Sequence, residues 1–212
     1  MRPLFVTGIG TGIGKTVVSA IVTAALDAEY WKPVQAGDLD STDTMKVAEW
    51  IGAPERCHPE GWRLNVPASP HAAAELDGVH VDLAKLEPPS SARPLVIEGA
   101  GGLLVPLDDE TLIVDAIERW SAAAIVVSRH YLGSINHTLL TLEAPERRGI
   151  EIAGIVFNGD PHRTTEEAIL RRYEIPQLFR LSPEASLTRD VIGRYAAGLR
   201  ERTDILSEWR GQ

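Results

Sequence analysis

The sequence predicts an α/β fold with a mainly parallel sheet and helices on both faces. Three observations carry this. Short runs that are apolar on both faces alternate with stretches of helical periodicity, the pattern of parallel strands joined by helical crossovers. The first run ends in a glycine-rich turn that opens a helix pattern, Gly8-Ile9-Gly10-Thr11-Gly12-Ile13-Gly14-Lys15-Thr16. Two later runs end near charged residues, Lys32 and Glu98, and ligands of parallel α/β sheets bind at the carboxyl ends of strands.

The elements follow in order. Pro3–Gly8 is the first expected strand, and Gly14–Leu26 an apolar, Ala-rich helix. Glu29–Val34 is the second strand, with Pro33 holding the residue before it extended. Thr42–Ile51 reads as a helix with Ser41 as N-cap. Residues 52–92, rich in proline and small side chains, read as an irregular excursion with a short helix candidate at Ala72-Ala73-Ala74. Strands Arg93–Glu98, Ala123–Ser128, Glu151–Asn158 and Gln177–Leu181 then alternate with helices Asp109–Trp120, Ser134–Arg148 and Thr164–Tyr173. In Pro183–Trp209, the residues Leu187, Val191, Ile192, Tyr195, Leu199, Ile205, Leu206 and Trp209 recur at near-helical spacing, the mark of a stripe packed on the core.

Composition narrows the function classes. The chain has 212 residues, 44% hydrophobic and 24% charged, which fits one globular domain and excludes a disordered or collagen-like chain. A net charge of −9 argues against a nucleic-acid or anionic-membrane binder, which would carry a basic face. Cys57 is the only cysteine, so an internal disulfide is excluded. The apolar run at the start is too short for a signal peptide, and no stretch reaches the ~18–20 apolar residues of a membrane span. These features predict a soluble, cytoplasmic protein.

The glycine-rich turn carries the strongest chemical signal. Glycines let the backbone turn tightly and approach a ligand, so that amides point into one concavity and the helix adds its positive end. Lys15 would reach the β- and γ-phosphates of a nucleotide, and the Thr16 hydroxyl would ligate Mg2+. The expected architecture is therefore P-loop NTPase-like. The spacing is unusual: the standard pattern places a glycine where this chain has Ile9, and the turn glycine is Gly8, one residue earlier. Partition and division-site ATPases carry a second lysine early in the loop, at the position of Gly10. No Asn-Lys-x-Asp run selects guanine.

Three further segments belong near this loop. The chain has four lysines against 17 arginines. Lys32, in Trp31-Lys32-Pro33-Val34-Gln35-Ala36-Gly37, is either an exposed lysine or a cation near transferred phosphate or a carboxylated substrate. Asp43 is either a charge at a helix N-terminus or part of a metal site. Glu98, at the end of Leu95-Val96-Ile97, precedes Gly99-Ala100-Gly101-Gly102 and is either a glutamate in a solvated hairpin or a carboxylate facing the loop. Mg2+ takes one or two carboxylates plus phosphate oxygens and water, so Thr16, Asp43 and Glu98 form a candidate metal set.

Taken in order, these motifs resemble the dethiobiotin synthetases. That family combines an off-length phosphate loop with K-P-V/I-x-[ST]-G, E-G-A-G-G and I/L-N-H segments. This chain has Gly8–Thr16, Lys32–Gly37, Glu98–Gly102 and Ile135-Asn136-His137, with Ser69-Pro70-His71 where the family often has S-P-H. The match runs to about Asn158 and is loose beyond it.

The resemblance implies an ATP- and Mg2+-dependent ligase acting on 7,8-diaminopelargonate and CO2 or bicarbonate. A carbamate forms, is phosphorylated to a carbamic-phosphoric anhydride, and closes to dethiobiotin with release of phosphate. It implies that Lys32, Lys15 and Thr11 serve catalysis. Gly12, Ile13, Gly14, Lys15, Thr16 and Val17 would hold the nucleotide with Asp43, Glu98, Gly99, Ala100 and Gly101, and Asn158 would meet the adenine. Thr11, Ala36, Gly101, Leu132, Gly133 and Asn136 would meet the diamine, the last three from the neighbouring subunit of a homodimer. Position 36 departs from the pattern: the family usually has Ser or Thr there.

Other readings differ in their requirements. A related amide-forming ligase would need a glutamine-hydrolysing domain, for which the chain is too short, and Cys57 lies in an irregular Pro-rich stretch. A switch ATPase would need the lysine missing at Gly10 or an amphipathic basic tail. A small-molecule kinase would release a phosphorylated product. The six histidines show no spacing suited to a metal and read as structural or hydrogen-bonding residues.

Overall fold

β1 (Leu4–Gly8) is buried along its whole length in the computed structural model, which describes residues 1–202 and Trp209. It is a central strand of a six-stranded sheet. β2 (Glu29–Trp31) and β5 (Leu95–Glu98) lie to one side of it, and β6 (Ala123–Arg129), β7 (Ile152–Asn158) and β8 (Gln177–Leu181) to the other. Every neighbouring pair is parallel. Successive side chains of β1 therefore serve opposite faces: Leu4 and Val6 join one apolar cluster and Phe5 the other.

Helices α1 (Lys15–Ala25), α2 (Asp43–Ile51) and α7 (Arg189–Glu201) pack together on the face of Leu4 and Val6. α4 (Ile113–Arg119) contributes Ile113 and Ile117 to the cluster around Phe5. α5 (Ser134–Arg147) and α6 (Arg163–Tyr173) pack on each other, and Leu142 and Ile169 bury Val126, Ile155 and Phe157. Each fully buried aliphatic side chain of this kind contributes roughly 1.5–3 kcal/mol. The parallel pairing and the helices on both faces are the α/β arrangement expected. Among the described residues no helix is long and apolar enough to cross a membrane.

Several expectations are corrected. Glu29–Val34 is not one strand: it divides at Lys32-Pro33 into β2 and β3 (Val34–Ala36). Proline has no N–H for a ladder, and the Pro33 carbonyl instead accepts from Trp62 N at 2.9 Å. That bond introduces β4 (Trp62–Leu64), which pairs with β3 in a second, two-stranded parallel sheet. Residues 52–92 thus hold a strand, 3-10 turns at Pro54–Arg56 and Leu83–Lys85, and α3 (Pro70–Leu76), which contains the expected Ala72-Ala73-Ala74. Thr42, not Ser41, caps α2; its hydroxyl accepts from Met45 N. α4 starts at Ile113 and not at Asp109, because Asp108 accepts from the amides of Glu110 and Thr111 and turns the chain there. The C-terminal stripe begins only at Arg189. Leu187 is exposed before it, Trp209 is buried in the core, and Ile205 and Leu206 lie outside the described residues.

Candidate active site

The phosphate loop joins β1 to α1, and its glycines are dictated by close packing. A side chain at Gly8 would place a Cβ 2.0 Å from Ile13 Cδ1 and 2.7 Å from the Val127 carbonyl. Gly12 and Gly14 adopt φ of 71° and 98°, a region that disfavours any Cβ. This packing accounts for the displaced first glycine. Ile13 folds back into the core, and Gly8 clears space for it. Gly14 is the N-cap of α1 and offers no side-chain cap, so the first helical amides face the loop.

Lys15, Lys32, Thr16, Asp43 and Glu98 converge at this end of the sheet. Lys32 Nζ donates to Asp43 Oδ2 at 2.7 Å and to Glu98 Oε1 at 3.0 Å, and sits 3.4 Å from the Gly99 carbonyl. It is not an exposed lysine: it is 4% exposed, and Glu98 is 1% exposed. Thr16 Oγ1 donates to the same Glu98 Oε1 at 3.0 Å. Lys15 Nζ donates to the Gly10 carbonyl at 2.7 Å, folded over its own loop. The Glu98–Gly102 turn lies against the phosphate loop, since a Cβ at Gly102 would be 3.3 Å from the Gly8 carbonyl.

Three side chains that sequence reasoning passed over hold this cluster in place. Gln35 accepts from Asp43 N at 3.1 Å and donates to the Gly37 carbonyl at 2.9 Å, so it ties the start of α2 to the end of β3. Thr42 closes the same helix end. Tyr30 Oη donates to Glu98 Oε2 at 2.8 Å from a fully buried ring. Gln35 stands inside the quoted Lys32–Gly37 segment, which was the signal available; Tyr30 reads as one more apolar strand residue.

Electrostatics set the charge states. Burial works against the Lys32 charge, but Glu98 and Asp43 outweigh it, so its amine holds its proton above the ordinary lysine range. Burial likewise opposes the Asp43 charge; Lys32 prevails and holds that carboxyl below its ordinary value. Lys15 differs: burial, with some repulsion from Lys32, exceeds the help of Glu98 and Asp43 and pushes its amine down to about 8.

A consequence is measurable. Near pH 8 about half of the Lys15 amines are neutral, whereas a bound polyphosphate requires the cation. Nucleotide binding is expected to take up roughly half a proton at this pH and almost none below about pH 7. Above pH 8 affinity should fall as the neutral amine comes to dominate. Titration calorimetry in two buffers of different ionisation enthalpy reads the uptake directly; identical heats at pH 8 would contradict it.

The donor set fits a hard divalent cation. Two carboxylates, gathered by the Lys32 ammonium, and a hydroxyl lie beside the phosphate loop, and Mg2+ takes one or two carboxylates together with phosphate oxygens and waters. Beside the loop, an open cleft of about 380 Å³ runs between Ile9, Thr11, Leu104, Val105, His137 and Leu140, mostly apolar with a few polar groups. The arrangement can hold a polyphosphate at its transferable end next to a small, partly aliphatic substrate.

Comparison with known proteins now identifies the family. A family model described as an AAA domain matches residues 2–191. The ATP-dependent dethiobiotin synthetase of Christiangramia forsetii is 48% identical over 202 residues, covering 95% of this chain and 97% of that protein. The enzyme of the same name from Rhodopseudomonas palustris strain BisA53 is 52% identical over 188 residues, 88% of each chain. The chain belongs to the ATP-dependent dethiobiotin synthetase family. Among solved structures, the cell division ATPase MinD of Pyrococcus furiosus shares the P-loop NTPase fold, at a TM-score of 0.57 and 12% identity over 95% of this chain and 99% of that one.

The remaining positions expected of a dethiobiotin synthetase fall into two groups. Asn158 ends β7 beside the loop, and its Nδ2 donates to the Ile13 carbonyl at 2.7 Å. Ala36 is half-buried at the end of β3, and Gly99, Ala100 and Gly101 form the turn after Glu98. Among the described residues, Leu132, Gly133 and Asn136 form no hydrogen bond with the charged cluster and belong to the second group. They are exposed at the start of α5, where Gly133 is the N-cap at φ 99°. His137 lies one turn on, its Nδ1 2.8 Å from Tyr131 Oη. His71 is less well served: its buried Nδ1 finds no partner among the described residues.

Proposed function

We infer that this chain is an ATP-dependent dethiobiotin synthetase, with residues 1–212 acting as one P-loop ligase domain. It joins 7,8-diaminopelargonate and CO2 and closes the cyclic urea of dethiobiotin, yielding ADP and phosphate. The observation that carries this reading is the near-50% identity to named dethiobiotin synthetases along almost the whole chain.

The bond changes set what the residues must do. One amine of the diamine adds to CO2 and loses a proton, giving a carbamate. A carbamate oxygen takes the γ-phosphoryl group of ATP, and ADP departs. The second amine attacks the carbamate carbonyl, loses a proton and expels phosphate, so atoms balance. Mg2+, held by Thr16, Asp43 and Glu98, would supply Lewis-acid neutralisation of the phosphates.

The chain's own groups do the rest. Lys15 and the amides of residues 12–17 bind and orient the phosphates, and Asn158 borders the adenine. Lys32 offsets the negative charge shared by carbamate and γ-phosphate, where positioning and a preorganised cation contribute most. Thr11 and Gly101 flank the reacting amines, and Ala36 borders the diamine. Leu132, Gly133 and Asn136 meet the diamine carboxylate from a second subunit. Leu132, Ile135 and Leu140, exposed apolar side chains at the start of α5 and along it, support that homodimer.

The deciding experiment mixes the protein with the diamine, bicarbonate, Mg2+ and ATP and follows phosphate and product mass. Expected is diamine-dependent phosphate and a product heavier by one carbonyl in place of two hydrogens. Phosphate released regardless of the diamine overturns the reading in favour of a switch ATPase. At position 36 a restored hydroxyl adds one neutral hydrogen bond, a net ~0.5–1.5 kcal/mol. Ala36→Ser is expected to lower KM for the diamine by up to about tenfold; an unchanged or raised KM contradicts it.

A further inference from the structure

Glu98 presents two oxygens, and the structure gives them different neighbours. Oε1 accepts from Thr16 Oγ1 and from Lys32 Nζ, both at 3.0 Å, on the side of the phosphate loop. Oε2 accepts from Tyr30 Oη at 2.8 Å, on the side of the core. Tyr30 is 0% exposed, so no ligand reaches Oε2 past its ring.

Backbone hydrogen bonding holds the strand behind this hydroxyl on both sides. Tyr30 lies opposite Val96 in the parallel pairing of β2 with β5, two residues short of Glu98 on the partner strand. Its carbonyl accepts from His58 N at 2.8 Å, which fixes the outer edge of β2. A glutamate's terminal torsion is broad and has no sharp minimum of its own. The partners on Oε1 must yield when a cation or phosphate enters. The partner on Oε2 stays in place.

We propose that Tyr30 is a positioning residue for the divalent cation: its hydroxyl fixes the plane of the Glu98 carboxylate so that Oε1 faces the phosphates. The proposal rests on Glu98 being a metal ligand, as read above. Removing a partner that orients a metal-ligating carboxylate characteristically weakens metal binding by ~10- to 100-fold.

The test uses Tyr30→Phe, which keeps the buried ring, beside Glu98→Gln. Mn2+ serves as the probe, titrated into the protein with ADP and read by the paramagnetic resonance of the free ion. ADP affinity without metal and the melting temperature are measured on the same proteins. Tyr30→Phe is expected to bind Mn2+ about tenfold more weakly. Its metal-free ADP affinity should stay unchanged, and its turnover should recover at high Mg2+. Glu98→Gln should lose more.

Wild-type Mn2+ affinity in Tyr30→Phe, with a loss in Glu98→Gln, overturns the positioning role and leaves the metal site standing. No loss in either variant overturns the metal reading of Glu98 and this proposal with it. A parallel loss of metal-free ADP binding, or a collapsed melting temperature, shows a role in folding alone and overturns it equally.

Discussion

Replacing Lys32 by alanine is expected to reduce turnover by about 100-fold or more while nucleotide still binds, the loss typical of one preorganised donor in a reacting site. The same change acts on stability. Lys32 is the shared partner of Asp43 and Glu98, and without it two carboxylates face each other at the end of the sheet. Breaking a buried pair by removing one member costs ~3–5 kcal/mol. For a chain of this length that lowers the melting temperature by about 6–20 °C.

The two effects are separable. A divalent cation can replace the lost charge between the carboxylates, so Mg2+ should raise the melting temperature of the variant more than that of the parent. It cannot restore an ammonium beside the carbamate, so turnover at saturating Mg2+ stays low. Turnover near the parent level, measured where the variant is folded, would remove Lys32 from the chemistry.

The second large effect belongs to Gly14. Its φ of 98° costs a residue with a Cβ roughly 1–2 kcal/mol. The added methyl would also lie 2.5 Å from Asn158 Nδ2, the group that holds the Ile13 carbonyl. Relief requires Asn158 to swing away, and one neutral hydrogen bond of ~1 kcal/mol is lost with it. Gly14→Ala is therefore expected to weaken ADP binding by about 30- to 150-fold, because the relaxed loop must be forced back into shape around the phosphates. Adding Asn158→Ala removes the obstacle, so the double variant should bind better than the product of the two single losses. Unchanged ADP affinity in Gly14→Ala contradicts the argument.

What the sequence disclosed about this site was local. Gly-Lys-Thr after an apolar strand names its own chemistry, and Lys32 and Glu98 stand at strand ends where a parallel sheet gathers its ligands. Asp43 was ambiguous by itself; its 2.7 Å contact with Lys32 joins it to the cluster. The parts that stayed hidden depend on partners distant in the chain. Tyr30 contributes to the apolar character of a strand, and its hydroxyl acquires meaning only when β5 brings Glu98 alongside. β4 is three residues containing a charged arginine, too short to show alternation, and it exists because the broken strand at Pro33 offers a free carbonyl. Ser41 is by composition a slightly better cap than Thr42, yet the choice falls to the one whose hydroxyl reaches Met45 N.

The strand order has a consequence for the chain as it leaves the ribosome. β1 is made first, yet its neighbours are β5 and β6, so Leu4–Gly8 has no sheet partner until residues 95–98 and 123–129 emerge. β2 cannot serve in the interval, because it too pairs with β5. An apolar strand with both edges open must therefore wait for about ninety further residues, and such edges invite pairing with other chains. Nascent chains halted before residue 95 should bind holdase chaperones through Leu4–Gly8. That binding should fade once β6 is outside the tunnel and the phosphate loop has both walls.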